Sequence, residues 1–381
     1  MKIGIDGRAL QGRRTGVGRY AYELCRELDK ALPSAQFFVY SAVPIEMPVL
    51  SERWVLRLDQ SLLAKHMKSV LWLKFRCGRL CKKDDLDVFW SPATFLPQIT
   101  PSVRTVITVH DLNFKEAPST MTFTHRWAFK MFFKKDVLRA DVVITNSKGT
   151  SDRLFGFFGR ASDAIIYPSI NASFRMQTET SIQEVLLQHA LSRKYILAVA
   201  TWEPRKNLEL LIHTFLKMKE QGLLAQHKLV LVGGRGWKDN RLAGLLSGTD
   251  SVIPLGYVPE DQLAPLYSGA EIFIFPSIYE GFGMPVAEAR ACGAKVVASD
   301  TPELREAGDD NVVYILPTAS GIRQGILDAL SQGKLSAKSE RDFFSWEEGA
   351  RILAKILTGA KGFKCESNNS LLASRKANEK K

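Results

Sequence analysis

The sequence predicts an α/β protein made of two doubly wound units, each built around a parallel sheet. Three observations support this. The chain has 381 residues, which is more than one domain usually holds. Short β-branched runs alternate with helix-like segments, the pattern of strands joined by helical crossovers. The alternation starts again after a polar stretch at 171–192.

Strand candidates are apolar runs followed by turn or helix residues. In the first half they are Lys2–Asp6, Val103–His110, Ala140–Thr145 and Ala164–Tyr167. In the second half they are Tyr195–Ala200, Lys228–Val232, Ser251–Leu255, Ile272–Phe275 and Lys295–Ser299. Apolar residues at helical spacing predict helices over about 17–31, 207–220 and 260–268.

The domain boundaries follow from this pattern. We expect a first Rossmann-like domain over 1–175 and a second over 176–344, with a linker region within 171–192 that holds no clear strand. Residues 345–357 read as a helix with a serine cap and two glutamates in its first turn. Residues 358–381 are polar and basic and are predicted to be disordered.

Composition excludes several classes of protein. The chain is 45% hydrophobic and 24% charged, as in ordinary globular proteins, and it lacks the long uncharged apolar run of a membrane-spanning helix. The N-terminus reads as a buried strand rather than a signal peptide. The five cysteines are scattered, and Cys77 and Cys81 have no second ligand pair nearby, so we expect a reducing cytoplasm and no zinc site.

The net charge of +12 comes from the first half and the tail. Nucleic acid or an anionic membrane surface could each explain this basic excess, and the alternative is that the charge serves only solubility. Two basic segments rich in Trp and Phe, Ser61–Lys83 and His125–Arg139, favour lipid. The alternative for each segment is that its aromatic residues pack into the core.

The most informative stretch is 275–300, where a strand is followed by a glycine-containing loop and a helix with Pro285 in its first turn. Gly281 and Gly283 allow close approach of the backbone to a ligand. The N–H groups of Phe282, Gly283 and Met284 then become candidate donors to an anion or to sugar hydroxyls.

Charged residues stand beside this loop and after another strand. Glu280 and Glu288 are separated by seven residues across the loop and helix, so that one can face a sugar and the other a ribose. Arg205 and Lys206 follow the strand 195–200, where an α/β sheet presents its ligand site. Arginine binds two phosphate oxygens at once and lysine adds a point charge.

Two features of the first half are also candidates. Gly16 and Gly18 are expected between the first strand and the first helix, where the backbone would close over a diphosphate or a sugar. His110 follows the strand VITV, where an imidazole can orient a hydroxyl or stabilise an oxocarbenium ion. Asp111 either contributes to the site or caps the next turn.

Together these motifs resemble the family 4 glycosyltransferases. Glu280–Glu288 is similar to the E-x7-E signature of that family. The other similar pieces, in chain order, are TGVGRY at 15–20, ADVVITNS at 140–147, TWEPRKN at 201–207 and Gly256–Tyr257–Val258. The resemblance covers most of the chain. It implies the GT-B fold, with two Rossmann-like domains facing across a cleft and a C-terminal helix crossing back to the first.

The resemblance also implies roles for residues. His110 would contact the donor sugar near its reacting carbon, and Arg205, Lys206 and Glu280 would complete the catalytic set. Donor-binding residues would be Gly16, Gly18, Val258, Phe282, Gly283, Met284 and Glu288. Glu303 matches a loop near the donor, but Thr301 stands where that loop has glycine, which puts its role in doubt.

The implied activity is transfer of a sugar with retention of its anomeric configuration. The whole pattern resembles bacterial mannosyltransferases of O-antigen polymannose assembly. This implies GDP-mannose as donor, a polyprenyl-diphosphate-linked oligosaccharide as acceptor and α-1,3 as one candidate linkage. Because no Asp-x-Asp pair stands at a strand end, we expect no metal and no other cofactor.

Three alternatives stay open. A family 4 enzyme could use a UDP- or dTDP-linked sugar. A dinucleotide-dependent oxidoreductase or epimerase needs a glycine loop directly after the first strand, and the loop here starts later. A basic nucleic-acid-binding protein would need a binding module that the sequence lacks, so we expect no nucleic acid partner. The sequence sets no oligomeric state.

Overall fold

Two structural units make up the protein. The structure, a computed structural model, describes residues 1–12, 16–234, 244–246, 248–308, 310–332 and 344–359. The first unit comprises Met1–Leu112, Phe123–Pro168 and the described residues from 344 onward. The second comprises Asn113–Thr122 and the described residues of 169–332. No helix among the described residues is both long and apolar enough to cross a bilayer.

A seven-stranded sheet forms the centre of the first unit. Its strands are β1 (Lys2–Asp6), β2 (Gln36–Ser41), β3 (Trp54–Leu58), β4 (Val88–Ser91), β5 (Arg104–Val109), β6 (Val142–Thr145) and β7 (Ala164–Ile165). They pair in parallel in the order β3-β2-β1-β4-β5-β6-β7. In register, Ile3 of β1 lies between Phe37 of β2 and Val88 of β4. Helical crossovers cover both faces, so the central strands are apolar along most of their length.

The helices of the first unit vary widely in length. The α-helices are α1 (Gly16–Ala31), α2 (Leu62–His66), α3 (Ser69–Trp72) and α4 (Gly78–Cys81), and later α6 (Phe123–Ala128), α7 (Lys134–Arg139), α8 (Lys148–Phe158) and α15 (Trp346–Thr358). Two π-helices, Leu73–Cys77 and Phe129–Phe133, continue α3 and α6, and a short 3-10 helix covers Gly7–Leu10.

Helix α15 packs on the first unit, as the family resemblance implied for the C-terminal helix. Ala350 and Leu353 belong to the same buried cluster as Leu24 of α1 and Ile3 of β1. The Arg104 guanidinium also donates to the carbonyl of Ile356 at 2.6 Å. Burial of this amphipathic face is the driving force for docking.

A six-stranded parallel sheet forms the centre of the second unit. Its strands are β8 (Tyr195–Val199), β9 (Lys228–Val232), β10 (Val252–Gly256), β11 (Ile272–Phe275), β12 (Val296–Ser299) and β13 (Val313–Ile315), in the order β10-β9-β8-β11-β12-β13. Its helices are α5 (Asn113–Glu116), α9 (Glu179–Gln188), α10 (Leu208–Glu220), α11 (Glu260–Gly269), α12 (Met284–Ala291), α13 (Pro302–Ala307) and α14 (Ala319–Ser331). Two 3-10 helices cover Pro118–Thr120 and Pro204–Lys206.

The predicted fold class is confirmed, because both sheets are parallel and doubly wound. All predicted strands are present, with ends that differ by at most two residues, and β2, β3, β4 and β13 were not predicted. The polar stretch 171–192 holds no strand, as expected, yet it contains α9. Thr178 caps this helix, and its Ile182, Val185 and Leu186 are buried. The stretch therefore contributes a packed helix to the second unit and is not only a linker. Of the tail predicted to be disordered, Thr358 is instead the last residue of α15 and Gly359 is its C-cap. Residues 360–381 of that tail lie outside the described residues.

Candidate active site

The strand order of the second sheet places a ligand site between β8 and β11. The chain leaves β8 for β9 on one side and later crosses to β11 on the other side. At such a switch point the loops diverge and leave a crevice beyond the carboxyl ends of the strands. Arg205 and Lys206 follow β8, and Glu280 follows β11. The fold thus brings together charged residues that lie far apart in the chain.

Glu280 forms ion pairs with both cations. Its Oε2 accepts from Arg205 Nη1 at 2.6 Å, and its Oε1 accepts from Lys206 Nζ at 2.7 Å. The same Arg205 nitrogen donates to the carbonyl of Tyr279 at 3.1 Å. Each of the three charged side chains is at most 16% exposed. Arg205 Nη2 also pairs with the partly buried Glu203 at 3.4 Å, so the cluster holds two cations and two carboxylates.

The protonation states follow from the balance of burial and charge. Burial acts to raise the pKa of Glu280, but Arg205 and Lys206 outweigh it and bring that pKa to about 2. Burial lowers the pKa of Lys206, and Glu280 opposes that change. Because the carboxylate is held ionised, Glu280 is a fixed counter-charge that orients both cations at neutral pH.

Backbone contacts hold the loops that carry this cluster. Ile278 N donates to the carbonyl of Arg205 at 2.9 Å, which ties the loop after β11 to the loop after β8. Asn207 adopts a left-handed φ of 59°. Its amide donates to the carbonyl of Pro276 at 3.2 Å and to that of Pro317 at 3.1 Å. The cations are thus positioned before any ligand arrives.

The glycine loop leads into α12 as the sequence predicted. Gly283 has φ 107°, and a Cβ at this position would meet Leu304 Cδ2 at 2.3 Å. Glycine therefore permits both the turn and the close packing. Met284 begins the helix, with Pro285 in its first turn, and Phe282 is buried. A helix N-terminus beside the loop favours an anion, because its first N–H groups have no partners within the helix.

Glu288 lies on α12 and is buried. It accepts a hydrogen bond from Tyr267 Oη of α11 at 3.1 Å. The two signature glutamates therefore have different surroundings: Glu280 is bound by two cations and Glu288 by a phenol. Two carboxylates with such different partners can serve different parts of one ligand.

The ends of β9 and β10 approach the same edge of the sheet. Gly233 N donates to the carbonyl of Gly256 at 2.7 Å. Gly233 has φ 136°, and a Cβ there would lie 2.0 Å from the Ala200 carbonyl oxygen. Val258 follows β10 and is buried, whereas its neighbour Tyr257 is exposed. The sequence analysis did not single out Gly233. The signal that could have identified it is the double glycine, Gly233–Gly234, directly after the strand 228–232.

His110 lies in the first unit at the carboxyl end of β5. Its Nε2 is 2.7 Å from the carbonyl oxygen of Pro92, and its ring meets that of Tyr20 edge-on with centroids 4.8 Å apart. Burial lowers the pKa of His110. Since a carbonyl oxygen only accepts, Nε2 must carry the proton, and Nδ1 of the neutral ring is then an acceptor.

The expected position of Gly16 and Gly18 was wrong. Both lie inside the first turn of α1 rather than between β1 and the helix. Gly18 is buried, and a Cβ there would lie 2.8 Å from the Ala9 carbonyl oxygen. Gly18 is therefore explained by helix packing. Thr15 of the same motif lies outside the described residues.

A buried charged cluster in the first unit was not anticipated. It lies at the switch point of the first sheet, between β1 and β4. Asp6 is fully buried and accepts from Arg8 Nη2 at 2.6 Å and from Ser91 Oγ at 2.9 Å. The Arg8 guanidinium also donates to the carbonyl of Ala93 at 3.2 Å. The signal was a carboxylate at the end of a buried strand, followed by arginine.

The loop before Glu303 has Thr301 where the family pattern has glycine, and the structure gives a local reason for the threonine. Thr301 is the N-cap of α13, and its hydroxyl accepts from Leu304 N at 3.3 Å. Glu303 is fully buried on this helix. Within the described ranges, no three His, Cys, Asp or Glu side chains are grouped as a metal site would require.

Comparison with known proteins identifies both units. Residues 14–174 match the family model described as glycosyltransferase family 4, and residues 183–342 match the one described as glycosyl transferases group 1. The chain is 27% identical over 380 residues to O-antigen chain mannosyltransferase B of Escherichia coli, covering 91% of this chain and 97% of that protein.

Two further similarities extend the comparison. The chain is 31% identical over 216 residues to O-antigen chain mannosyltransferase RfbU of Salmonella typhimurium, covering 55% of this chain and 56% of that protein. Its fold is similar to that of a sucrose-phosphate synthase from Thermosynechococcus elongatus, with a TM-score of 0.64, 18% identity and 99% of each chain covered. The chain therefore belongs to the family 4 glycosyltransferases and has two Rossmann-like units of the GT-B type.

Proposed function

We propose that the protein is a retaining α-mannosyltransferase that moves mannose from GDP-mannose to a polyprenyl-diphosphate-linked oligosaccharide in O-antigen and lipopolysaccharide biosynthesis. The similarity to O-antigen chain mannosyltransferase B, which extends over nearly the whole of both chains, supports the sugar and the pathway. The α-1,3 linkage is the candidate we would test first.

The cluster of Arg205, Lys206 and Glu280 is the observation that carries the chemistry. Negative charge builds on the diphosphate as the bond between the sugar and its leaving group breaks. The two cations lie where an α/β sheet binds its ligand, and both are oriented by one carboxylate. Cations that are already oriented stabilise the developing charge without rearrangement.

In this proposal Glu280 positions the cations. Each of its carboxylate oxygens receives a charged donor, and its pKa is about 2. A carboxylate with both oxygens engaged is a weak nucleophile, so a covalent role is not needed. Glu280 can still accept a sugar hydroxyl through a remaining lone pair.

His110 would act as a neutral hydrogen-bond acceptor. Its Nε2 proton is directed to Pro92, which leaves Nδ1 for a hydroxyl of the donor sugar. Gly283, Met284 and the start of α12 would bind the diphosphate, while Glu288 and Val258 would contact the nucleoside side. The cations and the helix N-terminus would replace a metal ion, so we propose that none is used.

An acceptor with a polyprenyl anchor is held in a membrane, so the enzyme must act at the membrane surface. We propose that the enzyme works in the cytoplasm, as a peripheral protein on the inner face of the plasma membrane. Its basic first unit would contact anionic lipid there. This proposal assigns the positive charge of the chain to lipid rather than to nucleic acid, and a gel shift with random DNA and RNA should show no salt-sensitive complex.

The first test is GDP binding to protein treated with EDTA. A ligand at one hundred times its Kd stabilises the folded state by about 2.7 kcal/mol, so the melting temperature should rise with GDP in the absence of metal. UDP and dTDP at the same concentration serve as matched controls. Strict dependence of both binding and turnover on Mg²⁺ would overturn the metal-free proposal.

The second test identifies donor and stereochemistry. Purified enzyme with a lipid-linked acceptor receives GDP-mannose, UDP-linked or dTDP-linked sugars in parallel, and NMR of the product reports its anomeric configuration. The proposal requires α-linked mannose from GDP-mannose. Preference for a UDP- or dTDP-linked sugar would support the alternative donor class within the same family.

A further inference from the structure

The helical stretch 123–139 exposes large apolar side chains to solvent. It consists of α6, the π-helix Phe129–Phe133 and α7, in continuous succession. Phe123 is 79% exposed, Met131 55% and Leu138 52%, and Trp127 is 44% exposed. Single exposed apolar residues are ordinary, but four on one short stretch form a patch that needs an explanation.

The spacing of these residues puts them on one side of the helix. Successive members are separated by four, four and seven residues, which are helical repeats. Ala128, Phe133 and Val137 are buried on the other side. The core therefore accounts for one side of the stretch and leaves the exposed side unexplained.

Buried polar contacts fix which side faces outward. Asp136 is buried, pairs with Lys74 and accepts from Leu96 N at 3.0 Å. Arg139 donates to Asp136 at 3.0 Å and to the carbonyl oxygen of Pro97 at 2.8 Å. Rotating the helix to bury the exposed patch would break this network and leave a buried charge unpaired, which is costly. The outward patch is thus a stable feature of the fold.

The exposed side is also positively charged. The exposed basic side chains of the stretch are His125, Arg126, Lys130, Lys134 and Lys135, whereas Arg139 is held by Asp136. Its one carboxylate, Asp136, is buried. Aromatic and aliphatic side chains flanked by Lys and Arg match a bilayer surface that holds anionic lipid.

The other basic segment, Ser61–Lys83, exposes Leu62, Leu63 and Phe75, but its tryptophan and two of its cations are held inward. Trp72 is fully buried and donates to Asp59 Oδ2 at 3.0 Å. Lys74 is buried against Asp136, and Arg76 pairs with Asp59 at 2.7 Å. For these residues the core-packing alternative is the correct one. Lys82 and Lys83 are exposed but have no exposed tryptophan beside them.

We propose that the outward side of residues 123–138 is a membrane-docking surface that lies in the headgroup region of an anionic bilayer. At about 1.5 Å per residue the stretch is roughly 24 Å long, enough for an interfacial helix. The proposal deepens the proposed function and rests on it, because a lipid-anchored acceptor requires an enzyme at the bilayer.

Flotation of the full chain with vesicles tests the surface. Vesicles of phosphatidylcholine with 30% phosphatidylglycerol are compared with pure phosphatidylcholine. The partition coefficient of the variant Trp127→Glu/Met131→Glu should fall by at least about tenfold. The matched control is Leu187→Glu/Leu223→Glu, at exposed leucines of the second unit, which should change binding by less than about twofold. Raising salt from 0.1 to 1 M should release the wild type, since the Debye length falls from about 10 to about 3 Å.

A charge test separates the two basic segments. Lys134→Glu/Lys135→Glu should weaken flotation more than Lys82→Glu/Lys83→Glu, although both pairs change the net charge equally. Brominated lipid should quench tryptophan fluorescence in the wild type and much less in Trp127→Phe, because Trp127 is the one exposed tryptophan among those the structure describes.

Three results would overturn the proposal. The first is an equal loss of vesicle binding in the test and control variants. The second is quenching by brominated lipid that persists in Trp127→Phe. The third is a change in the oligomeric state of Trp127→Glu/Met131→Glu without vesicles, which would identify a protein interface instead. Vesicle binding is measured without donor or acceptor, and turnover is measured separately on a water-soluble acceptor. Failure of the docking surface and failure of the proposed function are therefore distinguishable.

Discussion

At the scale of single residues, the ionic cluster after β8 and β11 shows which electrostatic effect dominates. Burial disfavours a charged carboxylate, yet the pKa of Glu280 is about 2. The two cations within hydrogen-bond distance therefore outweigh desolvation. Each member of the cluster depends on the others, so removing one changes the electrostatic environment of the remaining two.

Replacing Lys206 with alanine should lower turnover by about a hundredfold, because a lost contact to developing charge costs about 3 kcal/mol. Glu280 keeps Arg205 as a partner, so the fold should stay intact by circular dichroism. Lys217→Ala, at an exposed lysine of the same unit, is the control and should keep normal turnover. Wild-type kcat in purified Lys206→Ala would remove Lys206 from the site.

Replacing Glu280 with glutamine should reduce stability as well as turnover. The change leaves Lys206 without its counter-charge and Arg205 with Glu203 as its acidic partner, and breaking a buried pair costs about 3–5 kcal/mol. The double variant Glu280→Gln/Lys206→Met removes one of those cations and should recover part of the lost stability in urea unfolding. Turnover should not recover. If the double variant is no more stable than the single one, the two charges are not coupled as described.

His110 should give the protein a pH-dependent stability. Burial places its folded-state pKa below the unfolded value of about 6.5. The neutral ring's contribution to the free energy of unfolding is fully present above the unfolded pKa. It is lost as the pH falls from the unfolded pKa through the folded one, because in that range the unfolded state binds more protons. Urea unfolding of the wild type between pH 7.5 and 5 should show this loss. His110→Asn should reduce the slope, and an unchanged slope would contradict the assignment.

At the scale of elements, close packing at Gly283 sets the direction of α12. The helix begins where the loop turns through a positive φ, against Leu304 of α13. The sequence predicted this start from the glycines and Pro285, because turn chemistry is local. The same reasoning failed for Gly16 and Gly18. No local signal distinguishes a glycine in a loop from a helical glycine that is required by a closely packed carbonyl, as at Gly18.

Gly283→Ala should destabilise the protein by about 2 kcal/mol or more, because φ of 107° is strained for alanine and its Cβ would clash with Leu304. It should also raise the Kd for GDP by moving the start of α12. The matched variant Gly156→Ala lies in α8 with open space around it. It should add roughly 0.5–1 kcal/mol of stability and leave GDP binding unchanged. Equal melting temperatures in the two variants would refute this account of Gly283.

At the scale of the whole molecule, the chain returns to its first unit after completing the second. Leu353 of α15 is fully buried in the core that contains β1 and α1. The first unit therefore needs residues from both ends of the described chain. Segment 113–122 likewise belongs to the second unit although it is surrounded in sequence by the first.

Leu353→Ala should destabilise the first unit selectively. Truncating a fully buried leucine costs about 2–5 kcal/mol. Hydrogen exchange followed by mass spectrometry should show faster exchange in α1 and β1, with β8 and β11 unaffected. Leu211→Ala, a fully buried leucine of α10, is the matched control and should have the opposite distribution. Uniform loss of protection in both variants would mean that the two units unfold together.

The sequence by itself determined the fold class, nine of the thirteen strands among the described residues, the loop before α12 and the family. These features depend on short-range signals: β-branched runs, glycine and proline at turns, and a helix cap beside acidic residues. Such signals lie within a few residues of what they specify. The charges after strands, together with the family resemblance, also grouped Arg205, Lys206 and Glu280 in one candidate site.

Only the tertiary structure decided how those residues pair and which surfaces stay exposed. Glu280 meets both cations because β8 and β11 are neighbours in the sheet, a contact between positions 74 and 75 residues apart. Trp72 is buried and Trp127 is exposed, although both lie in similar basic, aromatic segments. The physical reason is that burial and ion pairing depend on neighbours supplied by distant parts of the chain. Here the buried Lys74–Asp136 pair sets which side of each helix faces the solvent.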